Sequence, residues 1–238
     1  MIFYYIRHGD PIYKPDSLTA LGNCQAALAK RLALYGVDRI FSSTSNRAVM
    51  TARPTCDILK IEPELLEFAH ESRAWDDFTI DNENGTGRTW IFQSNGAMEI
   101  FGRKEIRDLG DRWFDLPDLK KYNYEKGVDR IYREADTFFK SLGYEHIRYT
   151  GRYKVTNSSD QRIALFAHQG FGLAFLSCLL DIPYPMFCKH FDMCHSGLTV
   201  IEFREIEGYS IPKVLTLSSD SHLYREGLAT AYNNRLIF

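Results

Sequence analysis

Two short apolar runs in this chain break in the same way. Ile2 to Ile6 is continuous, apolar and rich in aromatics, and it stops abruptly at Arg7-His8-Gly9. Far downstream, Arg162 to Ala167 stops at His168-Gln169-Gly170. A continuous apolar run this short reads as a strand buried on both faces, the kind that fills a parallel sheet. Each run therefore delivers a histidine to the end of a buried strand, where a glycine turns the chain into a helix. In open α/β sheets, ligands bind at the carboxyl ends of the strands.

The rest of the chain alternates accordingly. Thr19 is positioned to cap a helix with Leu21, Cys24, Leu28 and Leu32 at helical spacing, and Gly36 stops it. Asp38 to Phe41 reads as a strand ending in the turn Ser42-Ser43-Thr44-Ser45. A helix over Asn46 to Leu59 follows, with Pro54 inside it, then an extended stretch from Ile61 to Phe68. Phe78 to Gly96 is polar, rich in Asn and Gly, and reads as a long loop followed by two helices. The second spans about Tyr124 to Leu142, with Val128, Ile131, Tyr132, Ala135, Phe138, Phe139 and Leu142 on one face. Asn157 to Gln161 is a turn, Gly170 to Leu180 a helix, and Leu198 to Phe203 and Lys213 to Leu217 late strands. The pattern predicts a three-layer α/β/α sandwich with a mostly parallel central sheet and a helical insertion. It is read as one domain over 1–238, with the insertion at about 78–150 forming a lid or cap over the site.

Composition narrows the function. The 238 residues are 45% hydrophobic and 25% charged, with a formal net charge of -2. No basic block calls for nucleic acid, and no apolar stretch approaches the ~18 residues of a membrane span. The N-terminal run is short, aromatic and not preceded by basic residues, unlike a signal peptide. The five cysteines are odd in number and never spaced CxxC, which suits reduced thiols and a cytoplasmic location.

The candidate chemistry starts at His8, because a neutral imidazole can attack phosphorus and carry a phosphoryl group. The Arg7 guanidinium offers a fork of charge-assisted bonds for the same group, and Gly9 lets the backbone turn close to the ring. Arg47 falls in the first turn of a helix that opens at a strand end, where free N–H groups already attract anions. His168 is placed to donate a hydrogen bond to a phosphoryl oxygen. Two features carry a blander reading. Cys188-x-His190 and Cys194-His195 do not match zinc spacings and are read as buried thiols and a packed histidine, with no metal expected. Arg103, Lys104, Arg107 and Arg112 read as a solvated helix face, the alternative being that one of them reaches over the pocket to a second anionic group.

Arg7-His8-Gly9, Leu18-Thr19-Ala20-Leu21-Gly22 with Gln25-Ala26, Ser42-Ser43 with Arg47-Ala48 and Thr51-Ala52, Ala167-His168-Gln169-Gly170 and the late His222-Leu223 run in one order. Together they resemble the histidine phosphatase superfamily, which includes cofactor-dependent phosphoglycerate mutases. The resemblance implies that His8 is the phosphorylated nucleophile and that Arg7, Arg47 and His168 form the phosphate pocket. It also implies a carboxylate after the third strand as proton donor. Glu71 keeps the family spacing to Trp75-Asp76, and Glu67 and Asp76 stay open as alternatives. Residues just before the late strand frame the site in this family, which brings in His195 and Ser196. The chain departs from the pattern in lacking the Thr-x-Trp-Asn stretch, replaced by Asp10, Pro11, Ile12 and Tyr13, and in having Ala74 where a glycine often precedes the Trp-acidic pair.

The expected activity is hydrolysis of a phosphate monoester through a phosphohistidine, without cofactor. The alternatives are a phosphoglycerate mutase-type transfer and a catalytically silent phosphate-binding module. The expected partner is a small phosphorylated substrate, with the chain a monomer or homodimer.

Overall fold

The computed structural model describes residues 1–82 and 84–232. A six-stranded sheet runs through it in the spatial order Lys213–Ser219, Leu198–Glu202, Ile2–Arg7, Arg162–Ala167, Arg39–Ser43, Glu64–Leu66. The last four are mutually parallel, and the first two add an antiparallel edge. Helices flank this sheet, so the mostly parallel α/β architecture expected from the sequence is the one observed.

Several elements fall where the residue pattern put them. The helix Asn46–Leu59 and the strand Arg162–Ala167 match residue for residue, and Tyr124–Ser141 ends one residue early. Thr19 caps its helix by accepting from Gly22 N at 3.0 Å, and Gly36, at φ +80°, ends the segment. That segment is two helices, Ala20–Gln25 and Leu28–Tyr35, and its first turn is rotated from the expected face. Leu21 and Cys24 are exposed, while Gly22 and Gln25 point inward. The inward glycine follows from a close approach of backbone: a Cβ on Gly22 would collide with the Asp10 carbonyl oxygen.

Other stretches differ. Pro11–Tyr13 and Asp16–Leu18 pair as a small hairpin rather than an open turn. Ser42 and Ser43 are the last residues of their strand, not part of the turn beyond it. The stretch from Phe78 to Gly96 is not one loop. Thr79–Asp81 and Arg88–Trp90 pair antiparallel, a 3-10 turn covers Ile91–Gln93, and a helix begins at Asn95. A second, four-stranded sheet joins Tyr144–Ile147 and Arg152–Val155 to Glu205–Ile206 and Tyr209–Ser210. Its strands of two to four residues are too short to show a period of two.

The helix Gln169–Leu180 is buried on nearly every face, which its largely apolar sequence requires. It packs with Phe3, Phe139, Tyr153 and Phe203 in the main hydrophobic cluster, which continues into Phe101, Trp113 and Leu119 of the insertion. Fully burying an aromatic side chain of this kind contributes roughly 1.5–3 kcal/mol. The sheet edge that presents His8 and His168 thus rests on a continuous apolar base. No helix among the described residues is long and apolar enough to cross a membrane.

Candidate active site

Arg7 ends the first strand, and Ala167, immediately before His168, is its parallel neighbour in the sheet. This register sets the His8 and His168 rings 5.1 Å apart, edge to face. Both side chains are buried, as are Arg7 and Arg47. Gly9 is needed for a different reason from the one the sequence suggested. A Cβ there would lie 2.7 Å from the Gly22 carbonyl oxygen, so the glycine makes room for backbone rather than for the ring.

Hydrogen bonds fix the state of His8. Its Nδ1 lies 2.6 Å from the Gly9 carbonyl oxygen, an acceptor, so Nδ1 carries the proton and donates it. The lone pair of the neutral ring is then on Nε2. Burial, together with Arg7 and Arg47, holds the imidazole well below its ordinary pKa, so the ring is neutral over the physiological range. The backbone around it is tied down too: Ser196 N donates to the His8 carbonyl at 3.1 Å, and Gly9 N donates to Thr51 Oγ1 at 3.0 Å.

His168 is held from all sides. The Tyr5 hydroxyl donates to its carbonyl at 2.6 Å, and its Nε2 lies 2.8 Å from Ser43 Oγ. Its Nδ1 lies 3.1 Å from Arg47 Nη2, which can only donate. One arrangement satisfies these contacts: Nδ1 accepts, and Nε2–H is donated to Ser43. Desolvation and the neighbouring His8 and arginines push this imidazole well down as well.

Arg47 is anchored by Asp16, 2.8 Å from Nη1, on the small hairpin, and its Nε–H is buried with no acceptor among the described residues. An unsatisfied guanidinium N–H inside a cavity costs free energy until an acceptor arrives, and an anion supplies one. Arg7 Nη1 donates to the Met193 carbonyl at 2.5 Å, and Nη2 lies 2.7 Å from His195 Nε2. His195 in turn sits 3.4 Å from Asp10.

Among the three candidate acids, Glu71 alone lines the cavity with these groups. Its Oε2 is 3.1 Å from His168 Nδ1, and its Oε1 accepts from Phe171 N at 3.1 Å. Burial outweighs the arginines and raises its pKa to about 7. Glu67 instead accepts from Thr44 Oγ1, and Asp76 is exposed. The cavity measures about 470 Å³ and continues outward past His70 and Ser72 to Tyr13, Trp75 and Trp90. Among the described residues of 78–150, only Trp90 belongs to this lining. A Cβ on Gly170 would collide with the Trp90 ring, so this glycine is what lets the indole reach the site.

Sequence reasoning brought together Arg7, His8, Arg47, Glu71 and His168. It missed Tyr5 and Asp16, which help orient them, and it saw Ser43, Ser45 and Thr51 only as motif residues, without the contacts they make. Their hydroxyls and carboxylate act through contacts between distant segments, so no local spacing reveals them. It did not place Trp90 in the wall for the same reason, while Tyr13 lies in the Asp10 to Tyr13 stretch already singled out as a departure from the family pattern. The four charged candidates in the insertion do not reach the cavity; Arg103 pairs with Asp118, Lys104 with Asp108, and Arg112 with Asp115 and Glu125. Among the described residues one grouping has metal-ligating atoms close enough to share an ion, His8, Glu71 and His168. With Arg7 and Arg47 beside it, that space favours an anion over a cation. Cys188, His190, Cys194 and His195 form no such group, and all five cysteines are free.

A strand-edge pocket of histidines and arginines on a mostly parallel sheet defines a class, and the comparisons agree with it. Residues 3–116 match the family model of the histidine phosphatase superfamily, branch 1, so that part of the chain is similar to that superfamily. Its fold is shared by a mutant phosphoserine phosphatase from Entamoeba histolytica solved with phosphoserine. That structure is 19% identical, covers 93% of this chain and 98% of its own, and has a TM-score of 0.59. A mycobacterial glucosyl-3-phosphoglycerate phosphatase solved with inorganic phosphate is 17% identical, with 93% and 98% covered and a TM-score of 0.58. An Escherichia coli α-ribazole-5'-phosphate phosphatase candidate is 16% identical, with 92% and 96% covered and a TM-score of 0.55. No curated protein matches the sequence.

Proposed function

We propose that this protein is a phosphatase that hydrolyses a small phosphate monoester through a phosphohistidine on His8. The observation that carries the reading is the committed proton of His8. With Nδ1–H donated to the Gly9 carbonyl, the Nε2 lone pair is the reactive one, and it shares a cavity with two buried guanidiniums. Arg7 and Arg47 bind the phosphoryl oxygens, and the unsatisfied Arg47 Nε–H supplies one of the bonds. His168, whose Nδ1 lies 3.1 Å from Arg47 Nη2, orients that guanidinium.

Nε2 attacks phosphorus in line as the bond to the leaving oxygen breaks. Glu71, protonated near neutral pH, transfers its proton to that oxygen. The resulting carboxylate then takes a proton from water as the water attacks phosphorus. The N–P bond breaks, its electron pair returns to Nε2, and inorganic phosphate and a protonated Glu71 are regenerated. A mutase would have to hold a second anionic group, and among the described residues no lysine or third arginine lines the cavity, which favours hydrolysis.

The direct test is phosphate release from p-nitrophenyl phosphate by the wild type and His8→Ala, with acid-labile, base-stable phosphate on the protein trapped by rapid quench. Full activity in the variant, or turnover with no phosphoprotein under conditions that trap the intermediate, would refute the reading.

A further inference from the structure

The arginine end of the cavity accounts for a phosphoryl group, but about 470 Å³ is far more than that group fills. Beside His70, Ser72 and Gln169, the remaining wall carries three large aromatic side chains from separate elements: Tyr13 on the small hairpin, Trp75 on the helix Glu71–Phe78, and Trp90 on the strand Arg88–Trp90. The indoles are ordered in advance. Trp75 and Trp90 meet edge to face at 5.0 Å, and Trp90 stacks on Phe92 at 5.5 Å. A wall already fixed in place loses little freedom on binding a flat ring.

Charge points the same way. Arg47 is neutralised by Asp16 at 2.8 Å, and its guanidinium lies 5.4 Å from the Tyr13 ring. Arg7 is engaged by Met193 and His195 at the inner end. A carboxylate or second phosphate on the leaving group would be desolvated against indole without an arginine or lysine to pair with. We propose that this cavity selects small phosphate monoesters whose leaving alcohol carries an uncharged aromatic ring, seated among Tyr13, Trp75 and Trp90. The inference rests on the reading above that Arg7 and Arg47 take the phosphate.

The test compares primary alkyl phosphates, so that leaving-group acidity stays nearly level: 2-phenylethyl phosphate, 2-cyclohexylethyl phosphate and O-phosphoserine. The expected order of kcat/KM places 2-phenylethyl phosphate at least about 10-fold above phosphoserine and several-fold above the cyclohexyl ester. In Trp75→Leu, which keeps an apolar wall, the phenyl-to-cyclohexyl ratio should fall to near one. Tyr13→Leu, at an exposed position, provides a second variant if the first fails to fold. Equal rates for the two ring esters in the wild type, or a preference for phosphoserine, would overturn the proposal. Dissociation constants of the same three esters for His8→Ala are measured by calorimetry. If no ester is hydrolysed by the wild type, the hydrolytic reading falls. The affinities still decide this one: tighter binding of the phenyl ester upholds it, and equal binding overturns it.

Discussion

Two buried histidine sites in this molecule are wired in opposite senses. His8 and His168 lie beside Arg7 and Arg47, and burial and those cations hold both imidazoles well below their ordinary pKa. His146, at the far side of the insertion, lies between Asp136 at 2.8 Å from Nδ1 and Asp181 at 3.1 Å from Nε2. Its side chain is equally buried, yet the two carboxylates win over desolvation and raise its pKa. Burial alone therefore does not decide protonation; the sign of the neighbouring charge does. The first site keeps lone pairs available for chemistry. The second keeps both ring protons and uses them to tie the helix Tyr124–Ser141 and the strand Tyr144–Ile147 to the end of the helix Gln169–Leu180.

This contrast can be broken at either end. The largest effect is expected at His8: its replacement by Ala should lower phosphate release by at least about 10³-fold with the fold intact by circular dichroism. Glu71→Gln should slow hydrolysis of an alkyl phosphate by roughly 10²–10³-fold and of an aryl phosphate with a good leaving group by much less. In the wild type, kcat/KM for the alkyl ester, corrected for substrate ionisation, should fall as pH rises through about 7, where Glu71 loses its proton. A rate independent of pH from 6 to 9 would remove Glu71 from the acid role.

The same carboxyl has a stability signature. Its folded pKa of about 7 exceeds the reference 4.5, so the folded state binds the extra proton between those values and loses stability as pH rises through them. Urea unfolding at pH 8 should find Glu71→Gln more stable than the wild type by up to about 3 kcal/mol, with the gap closing toward pH 4.5. At the other site, Asp181→Asn removes a charge while keeping a residue that tolerates the left-handed backbone at φ +50°. Breaking one partner of a buried charged group should cost about 3 kcal/mol, seen as a lower Tm. The raised pKa of His146 contributes stability that is fully present below its unfolded value and lost as pH rises through the folded one. That dependence should shrink in the variant. Nitrogen-detected NMR of the imidazoles across pH should find His146 holding its second proton to higher pH than His8 and His168. The smallest effect belongs to Arg103→Ala, whose exposed pair with Asp118 should matter by less than about 0.5 kcal/mol and leave phosphate release unchanged.

The two sites also differ in how readable they were. His8 and His168 stand where short apolar runs stop, and a buried strand followed by Arg-His-Gly or His-Gln-Gly is a local signal. Arg47 was legible from the helix start it occupies. Glu71 could be singled out from Glu67 and Asp76 only through spacing shared with a family, because its burial depends on Gly170 and Trp90 from elsewhere in the chain. His146 gave no signal. Its partners Asp136 and Asp181 come from two other elements, and its strand of four residues is too short to announce itself. The hairpin carrying Trp90 was hidden for a related reason, since its polar, glycine-bearing connection dominates the composition of the stretch.

Gly170 and Trp90 occupy one volume between them, and that constrains how this pocket can change over generations. Any side chain at position 170 intrudes on the indole, whereas a smaller residue at position 90 meets no such obstacle. A lineage that widens the wall at 90 first relieves the tighter clash at 170, leaving the contact with Glu71 Oε1, while the reverse order meets both. The order of substitution is thus directional, and new specificities in descendants of this protein should begin with the loss of the tryptophan.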